Sequence, residues 1–206
     1  RGDVRGCSIA CPGAVPFEQL LAESDARLAA GSRSVEPYVR TLWLLVLCVY
    51  GRHDLALAQS EAIGERLFRV PPYVHIADHT FYRGLACAAL ADGAAFGMRR
   101  RLRTELRRSL HRLRRWAQDG PDFVHMAALL DAEVGRLRRD EREARWRYER
   151  AAQRAIEQGF PHHAALAHER RARMLSELRR ETEASTALAH ARALYREWGA
   201  EPKAQQ

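Results

Sequence analysis

The sequence predicts an all-α solenoid of about nine helices arranged as antiparallel pairs, and three observations carry that prediction. First, Ala144, Tyr148, Ala151 and Ala155 recur forty residues later as Ala184, Leu188, Ala191 and Tyr195. Steps of four, three and four put each set on one helical stripe. Second, the preceding segments match at the same offset: Ala127 with Ala167, Ala132 with Ala172, Val134 with Met174. Third, a turn precedes a small residue by five positions in three places: Gly51 before Ala56, Arg139 before Ala144, Arg179 before Ala184. Helix pairs repeated at a fixed period, with small residues at the close approaches, are the signature of a stacked array.

The elements follow in order. Residues 1–14 carry three Gly and one Pro without periodicity and read as a loose N-terminal segment; 15–206 read as the helical-repeat domain, a fragment of a longer array. Phe17, Leu20, Leu21 and Leu28 mark a first helix over 15–30, stopped by Gly31. A second, over 37–50, opens on Pro37, and its almost wholly apolar surface asks for cover on several sides. A third runs from the turn at 51–54 to about 69, before Pro71 and Pro72. A fourth covers 73–92. The fifth, over 97–119, sets Leu102, Leu106, Leu110, Leu113 and Trp116 on one face among nine Arg, and Gly120-Pro121 ends it. Four more span 123–139, 141–158, 162–179 and 182–198, with Gly159 and Gly199 placed for left-handed caps. One helix leads and four pairs follow.

Composition bounds the chemistry. At 206 residues and 47% hydrophobic the chain can bury a large core. The net charge of +8 arises from 34 basic residues, of which only Lys203 is not Arg, and there is no Asn. That bias reads as codon usage before it reads as selection for guanidinium chemistry. Cys48 and Cys87 sit in apolar helical stretches, and Cys7 and Cys11 have no second pair to complete a zinc site, so a reducing cytoplasm is expected. The longest apolar run, Leu42 to Tyr50, is nine residues, against about 20 for a membrane span. The chain opens on Arg1 without a signal peptide, as an excised sequence would.

The spacing Gly-x4-Ala-x3-Tyr/Leu-x2-Ala resembles the tetratricopeptide repeat, at forty residues where that family usually has about 34. A closer resemblance rests on Trp116, Ala117, Pro121, Phe123, His125, Leu129, Leu130, Ala132, Glu133, Arg136 and Leu137. It continues through AIEQGF (155–160) and closes on Tyr195, Trp198, Gly199, Ala200 and Lys203. Together these look like the tetratricopeptide-like region of very large bacterial signalling proteins. Such proteins join a Ser/Thr kinase-like domain, an AAA-type ATPase, a helical array, a GAF sensor and often a sensor histidine kinase. Gly120 departs from the pattern, where Cys is common, as do Pro202 and Ala204, where helix-continuing residues are expected. The resemblance implies a cytoplasmic interaction or relay module whose partners are other domains of the same polypeptide. The family's catalytic residues lie in those other domains.

No enzyme motif appears. With Lys203 as the only Lys, neither a phosphate-binding loop nor a kinase β3 Lys is available, and no cofactor is expected. His75 and His79 lie one turn apart around Asp78, a metal-capable spacing without an evident third ligand. His162-His163 reads as a polar first turn. The Arg-rich fifth helix can face phosphate or acidic partners, but a solvated or acid-paired face is favoured because no aromatic residues interleave with its Arg; nucleic acid is accordingly not favoured. Glu133, Arg136, Glu169 and Arg173 fall on the first helices of pairs, which line the concave side in such arrays. They are the candidate partner-binding residues, for protein or peptide, although opposed charges there can also satisfy each other. The function expected is a non-catalytic relay module of a signal-transduction protein. The alternative is an inducer- or partner-sensing helical domain of an ATP-dependent transcription regulator.

Overall fold

The computed structural model describes residues 16–31, 35–64, 67 and 74–206. Among these the chain is all-helical, with no strand. The helices are α1 (Phe17–Ala30), α2 (Glu36–Val49), α3 (His53–Ile63), α4 (Val74–Leu90), α5 (Phe96–Asp119), α6 (Val124–Leu137), α7 (Glu141–Glu157), α8 (Pro161–Glu177), α9 (Glu181–Glu197) and the short α10 (Glu201–Ala204). The expected loose segment, with Cys7 and Cys11, lies outside the described residues. α3 ends at Ile63, where Gly64 takes φ +53°; of the remainder of its expected span only Leu67 is described.

From α2 on, each helix packs on the next, and the even-numbered helices also touch in succession: α2 with α4, α4 with α6, α6 with α8. Small side chains permit this. Ala132, Ala144, Ala164, Ala165 and Ala167 are completely buried, and Gly135 sits so close to α7 that a methyl there would lie 3.5 Å from the Cα of Ala144. On α4, a methyl at Gly84 would come within 2.7 Å of Leu130, which is why that crossing has no room for a side chain. The leucine stripe of α5 is buried as its spacing requires. α2 is less enclosed than its apolar run suggests: Leu44 and Leu47 are fully buried, whereas Leu42 is 58% exposed. No helix of the described residues is long and apolar enough to cross a membrane.

One turn is used five times. At Gly51, Arg139, Gly159, Arg179 and Gly199 the backbone enters the left-handed region. The following N–H then bonds the carbonyl five residues back: Arg52 to Leu47 at 2.8 Å, Asp140 to Gly135 at 3.2 Å, Phe160 to Ala155 at 2.8 Å, Arg180 to Leu175 at 2.9 Å and Ala200 to Tyr195 at 2.8 Å. This is the Schellman closure, which satisfies orphan carbonyls at a helix end. From Arg139 the turns fall twenty residues apart, so α7, α8 and α9 are each 17 residues long. α10 begins twenty residues after α9, with Pro202 in its first turn as Pro161 is in that of α8. Pro202 thus sits in the first turn of a helix. Arg139 and Arg179 adopt φ +62° and +57° with a β-carbon that glycine lacks. Arg139→Gly and Arg179→Gly are therefore expected to stabilise the chain, each by about 0.5–1 kcal/mol in urea unfolding.

Candidate functional site

Helices α6 and α8 carry charge into the interior. Glu133 is fully buried. It accepts from Arg136 Nε at 2.9 Å and from Arg170 Nη1 at 3.0 Å. Arg136 also reaches Asp92 and, at 3.0 Å, the Ala88 carbonyl, while Arg170 reaches the Leu85 carbonyl at 3.4 Å. Glu133 thereby ties α6, α8 and, through its partners, α4. Burial alone would raise its pKa, but the Arg170 and Arg136 charges outweigh burial and hold it at about 2. The Tyr148 hydroxyl is buried beside Glu133, and burial together with the Glu133 charge lifts its pKa well above the ordinary value.

A second interior network joins α4, α6 and α8 through neutral imidazoles. Gln158 Nε2 donates to the Pro121 carbonyl, which fixes its Oε1 as the acceptor from His125 Nδ1. His125 then accepts at Nε2 from His163 Nδ1, 2.7 Å away, and His163 Nε2 accepts from the Tyr82 hydroxyl at 2.8 Å. Every proton in the chain is placed by the one before it, with both rings neutral. Burial first, then the neighbouring imidazoles, keep His163 well below the usual histidine range. The sequence reading of 162–163 as a polar first turn is corrected here: His163 is 2% exposed, and His162 stacks on Trp198 with ring centroids 4.8 Å apart. Tyr82 and Phe160 pack against the His163 ring and shield it from solvent.

A cavity of about 720 Å³ with both charged and apolar walls lies between the α2–α3 turn and the α8–α9 pair. Cys48, Leu166, Ala184 and Leu188 give it apolar surface. Glu169, Arg170, Arg173 and Glu177 reach it from α8, Glu181 from α9 and His53 from α3. Glu169 is already engaged by the Tyr195 hydroxyl at 2.7 Å and Lys203 Nζ at 2.8 Å. Arg173, Glu177 and Glu181 are exposed and form no side-chain hydrogen bond or ion pair within the described residues. His53 is 8% exposed, and its Nδ1 is buried without a hydrogen-bond partner. Burial, then the charges of Arg170 and Arg173, push its pKa down to about 3 against the opposing pull of Glu133.

The four residues singled out from sequence therefore separate. Glu133 and Arg136 are committed to partners within the chain, and Glu133 has no surface to offer. Glu169 and Arg173 line the cavity. Sequence reasoning missed Arg170, His53, Tyr82 and His163. One signal was present for Arg170: it falls four residues after Leu166 and four before Met174, on an apolar stripe, where a cation requires a buried partner.

Elsewhere, His75 packs edge-on against Tyr38 at 4.2 Å while His79 Nε2 meets Ser60 Oγ at 2.9 Å, so the two imidazoles serve different neighbours. On α5, Arg101 pairs with Glu61 at 3.4 Å, Arg108 with Glu105 at 2.6 Å and Arg114 with Asp131 at 2.8 Å. Arg100, Arg107 and Arg115 face solvent. No protein-family model, curated protein or solved structure matches the chain.

Proposed function

We propose that the chain is a non-catalytic, tetratricopeptide-like interaction and relay module of a bacterial signal-transduction protein, acting in the cytoplasm. The observation that carries this reading is the succession of even-numbered helices packed on one another, with the α2–α3, α6–α7 and α8–α9 pairs joined by the same left-handed turn. Such a stack offers a continuous wall to a protein or peptide and transmits strain along its axis, so a partner that prefers one curvature shifts the population towards it. The partners are other domains of a longer polypeptide, of the kinase-like, AAA-type ATPase, GAF and sensor histidine kinase kinds that the sequence resemblance implies. Peptide-library selection on the pure chain tests the reading: binders are expected that leave the helical circular dichroism intact. Incubation with Mg-ATP is expected to release no phosphate, and measurable turnover overturns the non-catalytic assignment.

A second reading is favoured by the cavity volume of about 720 Å³, which lies in the range of small-molecule sites, roughly 300–1,000 Å³. It makes the chain the inducer-sensing domain of an ATP-dependent transcription regulator. Small molecules that raise the melting temperature and compete with selected peptides support this second reading.

A further inference from the structure

We infer that the cavity between the α2–α3 turn and α8–α9 binds an extended peptide carrying one acidic and one basic side chain two residues apart. This deepens the interaction-module reading and rests on it. The cavity wall holds groups with unmet capacity. His53 Nδ1 is buried and unpartnered at the cavity wall, on a side chain with only 8% of its surface exposed. An interior polar atom left unpaired is costly, and a turn of the ring at the cavity wall would bring it to a peptide backbone N–H or C=O.

The charges set the side-chain pattern. Arg173 stands free three residues beyond Arg170 on α8, whereas Glu177 stands free one turn further on, joined by Glu181 from the start of α9. One helical turn separates the cationic and anionic positions by about 6 Å along α8. In an extended peptide, side chains two residues apart share a face and are about 6.6 Å apart. Adjacent or three-residue spacing places the two charges on opposite faces. The wall from Leu166 to Glu177 spans roughly 16 Å, room for about five extended residues. Leu166, Ala184 and Leu188 give an apolar seat to the peptide side chains that flank the charged pair on the same face. A ligand of one sign fits poorly, because free carboxylates and a free guanidinium share the wall. Glu169 does not compete for the peptide's cation, since Lys203 and Tyr195 already hold it.

The test uses the full 206-residue chain and fluorescein-labelled, end-capped seven-residue peptides followed by anisotropy. One pair has Glu-Ala-Lys or Lys-Ala-Glu at its centre, and controls have the charges adjacent, three residues apart, or singly replaced by Ala. One order of the two-residue spacing is expected to bind about tenfold more tightly than every control. R173E and E177K should each abolish that preference with unchanged circular dichroism, as both residues are exposed. The doubly exchanged variant R173E/E177K should prefer the opposite order. Binding indifferent to spacing, or to both charge reversals, overturns the inference. The two readings fail separately. Library-selected peptides that bind R173E and E177K as well as the parent leave the interaction module standing and remove this site. A library that yields no binder, together with inert designed peptides, removes both.

Discussion

Glu133→Ala is expected to destabilise the chain by about 3–5 kcal/mol, the loss measured when one partner of a buried ion pair is removed. The direction follows from what remains. Arg170 is 9% exposed and would keep its charge with only the Leu85 carbonyl, at 3.4 Å, to receive it. Arg136 keeps Asp92 and the Ala88 carbonyl, so most of the penalty falls on Arg170. Glu133→Gln retains shape and one acceptor oxygen and should cost less. Pairing Glu133→Leu with Arg170→Met removes both buried charges together and is expected to recover most of the loss, because an apolar pair of similar volume carries no desolvation penalty. Urea unfolding of the three variants checks the order. Equal stability of Glu133→Ala and the parent would mean that the carboxylate does not join α6 to α8.

Acid is expected to unfold the chain between about pH 6 and 4. Burial pushes His53 down to about 3 and His79, His162 and His168 to about 4, with His125 and His163 also lowered. Because these folded-state values lie below the unfolded value of about 6.5, the unfolded chain takes up the protons first. Stability is complete above that value, falls as pH drops through it, and levels off only below the folded values. At pH 5 a histidine lowered this far withdraws about 2 kcal/mol. Several together approach the whole stability of a domain, about 5–15 kcal/mol. Asp78 works against them: burial raises its carboxyl to about 6, so acid favours its folded form. That is one group against six. Glu133, held near 2, gives up its contribution only at lower pH. Circular dichroism against pH gives the midpoint, and a chain that keeps its helices to pH 3 would show that these imidazoles are solvated.

The helices were legible in the sequence because their cause is local and periodic. Ala144, Ala151 and Ala155 announce a close approach wherever they fall on one stripe. Gly159 and Gly199 announce a left-handed turn. Arg139 and Arg179 took the same conformation without the residue that favours it, and only the five-residue interval to Ala144 and Ala184 pointed to them. The site was harder to read because a charge does not declare its partner. Glu133 and Arg173 occupy equivalent positions forty residues apart, yet one is buried and the other free. The difference is Arg170, which turns inward from the neighbouring helix to meet Glu133. His53 and His163 were opaque for a similar reason: their partners and walls come from helices distant in the chain, as with the 81 residues between Tyr82 and His163. α10 escaped because Pro202 reads as a stop when nothing is known of the turn before it.

Duplicating residues 161–200 in frame after Ala200 tests the forty-residue register most directly. The turn at Gly199 and the start of α10 at Glu201 have the register of the turn at Gly159 and the start of α8 at Pro161. The added unit should therefore seat on α9 as α8 seats on α7. The account predicts unchanged helicity per residue, one cooperative transition and a steeper dependence on urea in proportion to the added buried surface. A lengthened chain whose extra forty residues are digested by protease while the rest survives, or one that loses cooperative unfolding, would contradict it.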